Sequence, residues 1–271
     1  MPKDPNSAAE LAEQYRTAGN LNARIYLHQR FSRNQYGWQR WVFDQLELPA
    51  NARILELGCG PGDLWGENLA RLPQGWEVTL SDFSEGMLAQ ARGRLEGLRP
   101  EKPFEFEMID AQARPYPLAD ECLDGVIANH MLYHLSERAA ALAEIRRVLK
   151  PGGRLYATTV GQEHLVEIYQ MLLRFEPAAR PWGAVANPFL LENGAGQLAP
   201  WFEPVSLRRY EDALIVSEAK PLVDFILSGW FEIEEEQLPR FQAFVEDEIR
   251  QSGGAFHIRK DSGMFVATRK G

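Results

Sequence analysis

An apolar run, Ile54-Leu55-Glu56-Leu57, passes straight into Gly58-Cys59-Gly60-Pro61-Gly62, and this junction restricts the possible folds more than any other segment. The run predicts a buried strand, and the glycines stop it. Asp63 to Arg71 then carries helical spacing. Glycines let a backbone approach a ligand closely, and a helix start offers free N–H groups. Strand, glycine turn and helix in that order predict an α/β sheet with a ligand at its edge.

The surrounding sequence repeats the pattern. Short apolar runs predict strands over Arg53 to Leu57, Glu77 to Ser81, Phe104 to Ile109, Leu123 to Ala128 and Arg154 to Thr159. Between them the spacing predicts helices over Asp63 to Arg71, Glu85 to Leu95 and Glu137 to Leu149, the last with Ser136 as N-cap and Lys150-Pro151-Gly152-Gly153 as its stop. Alternation of this kind specifies a parallel sheet. Ala8 to Leu46 predicts two or three preceding helices. Gln162 to Phe175 looks helical, Glu176 to Pro200 reads as a loop-rich insertion, and Val205 to Ile215 and Ala255 to Thr268 predict an antiparallel pair closing the sheet. The helix before the last strand places Leu238, Phe241, Val245 and Ile249 on one face. The expected organisation is an N-terminal helical cap over 1–50 and a main domain over 51–271, with an insertion at about 161–203 and further helices at about 217–252.

Composition argues against several partners. The net charge of -9 argues against a large polyanion, because sequence-independent nucleic-acid affinity comes largely from Lys and Arg. No apolar run approaches the roughly 20 residues needed to span a bilayer, and Met1 to Glu10 has no signal core, so a cytoplasmic location is the default expectation. The two cysteines, Cys59 and Cys122, are expected to be reduced, since a disulfide at Cys59 would clamp the glycine loop.

Two further acids follow the loop in order. Asp82, in Ser81-Asp82-Phe83, lies about 20 residues beyond the loop, where a carboxylate can accept the hydroxyls of a ribose. Asp110, in Met108-Ile109-Asp110-Ala111, sits after the third strand, where a carboxylate beside a backbone N–H can read an adenine edge. A dinucleotide loop would need a third glycine at position 63, where the chain has Asp63.

The order of five blocks resembles the class I S-adenosylmethionine-dependent methyltransferases of the small-molecule type. The blocks are Glu56 to Gly62, Ser81 to Leu88, Ile109-Asp110-Ala111, Leu123 to Asn129 and Leu149 to Gly153, covering about residues 53 to 160. The resemblance implies a Rossmann-like seven-stranded sheet, mostly parallel with an antiparallel final strand, carrying N-terminal helices and a helical insertion as a cap. It implies S-adenosylmethionine as cofactor and S-adenosylhomocysteine as product. It assigns Gly58, Gly60 and Asn129 to the methionine part, Asp82 to the ribose, and Phe83, Met87, Asp110 and Ala111 to the adenine, with Glu56 and Cys59 also among the cofactor-binding residues.

Methyl transfer from a sulfonium is an in-line displacement that needs alignment and exclusion of water but no metal. A base is required only where the acceptor loses a proton early. Asn129-His130-Met131-Leu132-Tyr133-His134 supplies His130 and His134 as candidate bases and Tyr133 as an orienting group, with helix entry or packing as the competing role for His134. Tyr36, Tyr169, Trp182 and Trp230 are candidate contacts for a small-molecule acceptor, with core packing equally open. Two other functions use the same sheet edge: an NAD(P)-dependent oxidoreductase, and a protein that binds S-adenosylmethionine without turnover.

Overall fold

The computed structural model describes residues 18–98, 104–178, 189–229, 231 and 233–271. These divide into two compact units. One comprises Tyr36–Gly161, Phe189–Tyr210 and Ser262–Gly271; the described residues of the other fall within Met1–Gln35, Gln162–Pro188 and Glu211–Asp261.

The first unit carries the predicted βα alternation. It contains helix α2 (Trp38–Asp44), β1 (Arg53–Leu57), α3 (Asp63–Asn68) followed by a 3-10 turn, β2 (Glu77–Asp82), α4 (Glu85–Gly97), β3 (Glu105–Met108), β4 (Leu123–Asn129), α5 (Arg138–Val148), β5 (Leu149–Val160) and α7 (Gly194–Leu198). The other unit contains α1 (Ala18–Phe31), α6 (Val166–Phe175), α8 (Ala219–Leu227) and α9 (Leu238–Gln251). With β6 (Phe202–Val216) and β7 (Phe256–Arg269), the strands form one seven-stranded sheet in the order β3-β2-β1-β4-β5-β7-β6. Strands β1 to β5 are parallel, and β7 runs antiparallel to β5, with Arg154 opposite Thr268 and Val160 opposite Ser262.

Side chains that alternate along each strand fill two separate cores. Leu55, Leu57, Val126, Ala128, Leu155 and Ala157 pack with Leu142, Ile145 and Val148 of α5 on one face. Ile54, Val78, Leu80, Ile127 and Tyr156 pack with Leu88, Ala91 and Leu95 of α4 and with Trp65 on the other. Burial on both faces is why these strands read as continuous apolar runs. Each fully buried leucine here stabilises the fold by roughly 1.5–3 kcal/mol.

Three details depart from expectation. Glu137, rather than Ser136, precedes α5 as its N-cap, because Ser136 instead donates its N–H and Oγ–H to Gln112 Oε1 at 2.9 and 2.7 Å. Strand β5 starts at Leu149 rather than Arg154; Lys150 to Gly153 forms an irregularity between the pairs Leu123–Leu149 and Gly125–Arg154 instead of a loop. Helix α6 begins at Val166, after turns over 162–165, and not at Gln162.

The second unit has its own core. Phe241, Val245 and Ile249 form the buried stripe of α9, with Leu238 partly buried, as the helical spacing predicts, and they join Leu27, Ile168, Leu172 and Phe225. A buried ion pair sits within this unit: Asp212, fully buried, accepts from Lys260 Nζ at 2.6 Å, from Asn34 N at 2.8 Å and from the Ser32 hydroxyl. The Lys260 ammonium and the Ser32 and Asn34 donors hold its carboxyl below the usual range against the desolvation that opposes them. Asp212→Ala is expected to lower unfolding stability by about 3–5 kcal/mol, since it removes the charge that compensates a nearly buried ammonium. Chemical denaturation would measure it, and a loss under about 1 kcal/mol would show that the pair contributes little.

Candidate active site

The strand order reverses between β1 and β4, and in open α/β sheets the loops leaving such neighbouring strands part and form a crevice at their carboxyl ends. Gly58–Gly62 leaves β1 at this point, Asn129–His134 leaves β4, and Asp82 closes β2 beside them. Gly60 has φ +54 and Gly62 φ +75, conformations that side chains rarely adopt. A Cβ on Gly60 would meet nothing within 4 Å, so the loop faces open space there, whereas one on Gly62 would stand 3.3 Å from Ala91 and Leu95. Gly60 leaves room for a ligand, and Gly62 lets α4 pack close.

Asp82 is buried and organises the loop: its Oδ2 accepts from Gly60 N at 3.0 Å and its Oδ1 from Ser84 N at 2.9 Å. Burial raises its carboxyl despite those N–H donors. Ser84 caps α4 by accepting from Met87 N, which keeps Met87 buried in the helix while the ring of Phe83 stays 45% exposed beside Asp82. Asp110 is exposed and accepts from Gln112 N at 2.8 Å; Ala111 next to it is buried and receives the Tyr116 hydroxyl at its carbonyl, 2.9 Å.

Glu56 is the one charged side chain buried within β1. Its Oε2 accepts from Trp65 Nε1 at 2.6 Å and its Oε1 from Asn129 Nδ2 at 3.0 Å, two neutral donors. Desolvation, reinforced by the nearby Asp82 and Asp63, pushes it up to about 8. Cys59 is buried too, and its thiol is pushed well up by burial and by the carboxylates of Glu56 and Asp82, which makes it inert as a nucleophile.

Asn129 extends the network: Thr158 Oγ1 donates to its Oδ1 at 3.3 Å and accepts from His130 N at 2.9 Å. His130 has φ +49. Its ring lies 6.3 Å from Tyr133, which contacts His134 at 4.4 Å. The three residues named as catalytic candidates thus form one group. His134 is half-buried in a 3-10 turn, and desolvation lowers it to about 4, so its imidazole is neutral near pH 7 and a weak base.

Tyr36 is exposed and donates to Asp44 at 2.6 Å, Tyr169 lies half-buried on α6 in the second unit, and Trp182 and Trp230 lie outside the described residues. Two residues of the site carry no mark in the sequence motifs. Thr158 stands opposite Asn129 in the β4–β5 register, and Trp38 approaches His130 at 5.1 Å. Pairing the end of β5 with the end of β4 could have found the first; the second is a tertiary contact without a local signal.

Residues 55–157 match the family described as a methyltransferase domain. This segment is similar to the methyltransferase domains of that family. The ubiquinone/menaquinone biosynthesis C-methyltransferase UbiE of Acidiphilium cryptum is 31% identical to this chain over 151 residues, 56% of this chain and 56% of that protein. The chain therefore spans about half the length of the curated relatives it matches. An S-adenosylmethionine-dependent methyltransferase structure from Aquifex aeolicus, 15% identical, aligns with TM-score 0.53 over 93% of this chain and 96% of its own. A Haemonchus contortus N-methyltransferase solved with S-adenosylhomocysteine, 16% identical, aligns at 0.57 over 98% of this chain and 60% of its own. These likenesses show the methyltransferase fold. The oxidoreductase alternative loses its support, because Asp63 holds the position of the missing third glycine and ion-pairs with Arg94.

The methyltransferase cofactor suits the groups present. Its ammonium would neutralise Glu56, whose donors among the described residues are neutral, its ribose has a carboxylate in Asp82, and the Gly60 backbone is open to it. No helix among the described residues is long and apolar enough to cross a membrane.

Proposed function

We propose that this protein transfers a methyl group from S-adenosylmethionine to a small-molecule acceptor at the carboxyl ends of β1 and β4, releasing S-adenosylhomocysteine. The observation that carries this reading is the single network joining Glu56, Asn129, Thr158 and His130 beside the Asp82-held glycine loop. The donor supplies an activated sulfonium methyl, so the chain has to bind, orient and exclude water.

In this reading Asp82 takes the ribose hydroxyls, Phe83 and Asp110 flank the adenine with Met87 and Ala111 behind them, and Glu56 accepts the ammonium. Asn129 keeps Glu56 oriented, and Thr158 fixes the backbone from which His130 projects. A weak, half-buried His134 fits packing better than proton abstraction, which leaves His130 and Tyr133 as the groups facing the acceptor. The relatives carry the name C-methyltransferase, so carbon joins oxygen and nitrogen as an acceptor atom. A cytoplasmic location fits Cys59 and Cys122 as free thiols.

Formation of S-adenosylhomocysteine across a panel of phenolic, enolic and amine acceptors tests the proposal. Binding of S-adenosylmethionine over NADH, with acceptor-dependent turnover, is the expected result. Preference for NADH would overturn it, and tight binding with no turnover on any acceptor would favour a cofactor-binding protein without catalysis.

A further inference from the structure

We propose that Thr158 is a positioning residue for the methyl donor: its hydroxyl holds the Asn129 amide with the nitrogen toward Glu56, which keeps that carboxyl ready to receive the donor's ammonium. The inference rests on the methyl-transfer reading above and deepens it.

The hydrogen bonds that lead to Glu56 from β5 all run one way. Asn129 and Thr158 face each other in the β4–β5 register, and Thr158 is fully buried. A backbone N–H can only donate, so His130 N at 2.9 Å makes the Thr158 oxygen an acceptor and leaves its single proton to be given elsewhere. Asn129 Oδ1 takes that proton at 3.3 Å. With the amide oxygen engaged there, Asn129 Nδ2 is turned to Glu56 Oε1, 3.0 Å away. The other oxygen of Glu56 accepts from the Trp65 indole at 2.6 Å, and an indole N–H donates whatever the state of the carboxyl. Asn129 is therefore the neighbour whose orientation can change what Glu56 meets.

The reversed amide is what the hydroxyl prevents. Turned round, Asn129 would present Oδ1 to Glu56, an arrangement that suits the protonated carboxyl, because that form has a proton to donate. The same turn would set Nδ2 against the Thr158 oxygen, and a buried hydroxyl proton would lose its acceptor. Thr158 thereby favours the ionised form of Glu56, the form that attracts an ammonium. Its surroundings push the other way. Burial raises Glu56, as do Asp82 at the end of β2 and Asp63 at the start of α3, and the neighbouring Cys59 thiol brings no positive charge. Strands β4 and β5 bring the uncharged Asn129 and Thr158. A directed chain of neutral donors is thus the means by which this part of the sheet holds Glu56 as an acceptor.

Isothermal titration of the full chain with S-adenosylhomocysteine at pH 6.5 and at pH 8.5 tests this. Thr158→Val keeps the branched shape and removes the hydroxyl, so Glu56 should hold its proton more tightly by about half a pH unit. Binding should then weaken about threefold at pH 6.5 and less than about twofold at pH 8.5, where Glu56 is largely ionised in either protein. Thr158→Ser restores the hydroxyl and should bind as the unmodified protein does at both pH values. An equal loss at the two pH values would mean that Thr158 acts through the His130 backbone alone and would overturn the proposal, as would a Thr158→Ser variant no better than Thr158→Val. Where Thr158→Val does not fold, nuclear Overhauser contacts in the unmodified protein decide. Contacts of the Asn129 side-chain amide protons with the Glu56 side chain support the proposal, and contacts with the Thr158 methyl group instead overturn it. Failure of the unmodified protein to bind S-adenosylhomocysteine would overturn the methyltransferase reading and the role of Thr158 with it.

Discussion

Glu56→Gln is expected to bind S-adenosylhomocysteine ten- to a hundredfold more weakly at pH 8.5 and yet to make the ligand-free protein more stable there by about 1–3 kcal/mol. Both effects follow from one buried carboxyl whose hydrogen-bond donors among the described residues are the Trp65 indole and the Asn129 amide. Its folded value, about 8, lies above the ordinary 4.5, so the folded chain keeps a proton that the unfolded chain releases between those pH values. The stability tied to that proton is fully present below about 4.5 and is lost as pH rises to about 8, at roughly 1.4 kcal/mol per pH unit at most. Glutamine has no proton to lose, and rotation of the Asn129 amide lets both side chains stay bonded. The variant should therefore match the unmodified protein near pH 5 and exceed it at pH 8.5, as urea unfolding at the two pH values would read. Binding moves the other way, because an ammonium loses a charged partner worth roughly 1.5–3 kcal/mol. In the unmodified protein, S-adenosylhomocysteine should bind more tightly as pH rises from 6 to 8 and should release a proton on binding at pH 7, visible as a buffer-dependent enthalpy. A pH-independent affinity, or a variant less stable at pH 8.5, would remove Glu56 from this role.

This pairing of a stability cost with a binding gain is what a ligand site built in a sheet core produces. Much of that site is legible in the amino-acid sequence, for local reasons. Arg53–Leu57 is bounded as predicted because an apolar run followed by glycines leaves one option, and Glu56 in β1, Asp82 at the end of β2 and Asp110 after β3 keep the order of those strands. The exceptions are places where tertiary contacts override local signals. Pro151 and Gly152 read as a helix stop, but α5 already ends at Val148 and both residues lie inside β5, where the irregularity between the Leu123–Leu149 and Gly125–Arg154 pairs absorbs them. Ser136 reads as an N-cap until Gln112, distant in sequence, claims its hydroxyl. Glu56 is recognisable as the motif acid, whereas its burial against neutral donors depends on Trp65 and Asn129 arriving from two other elements. Trp38 lies far from His130 along the chain, and only the fold brings the two rings together.

The second large effect concerns Asp82, where two explanations for one loss have to be separated. Asp82→Ala is expected to weaken S-adenosylhomocysteine by about 1.5–3 kcal/mol, ten- to over a hundredfold, through lost charged hydrogen bonds to the ribose. The same substitution also strips an acceptor from Gly60 N and from Ser84 N, so a disordered glycine loop could weaken binding with no ribose contact at all. A cycle that changes the ligand as well as the protein isolates the contact. The 2′,3′-dideoxy form of S-adenosylhomocysteine lacks the hydroxyls, so it should bind the unmodified protein weakly and should lose little more on Asp82→Ala than the loop alone accounts for. The natural ligand should lose that amount and the ribose contact besides, giving a coupling of about 1.5–3 kcal/mol between carboxylate and diol. Equal losses for the two ligands would mean that Asp82 acts through the loop, and the diol would need another partner among the residues beside β2.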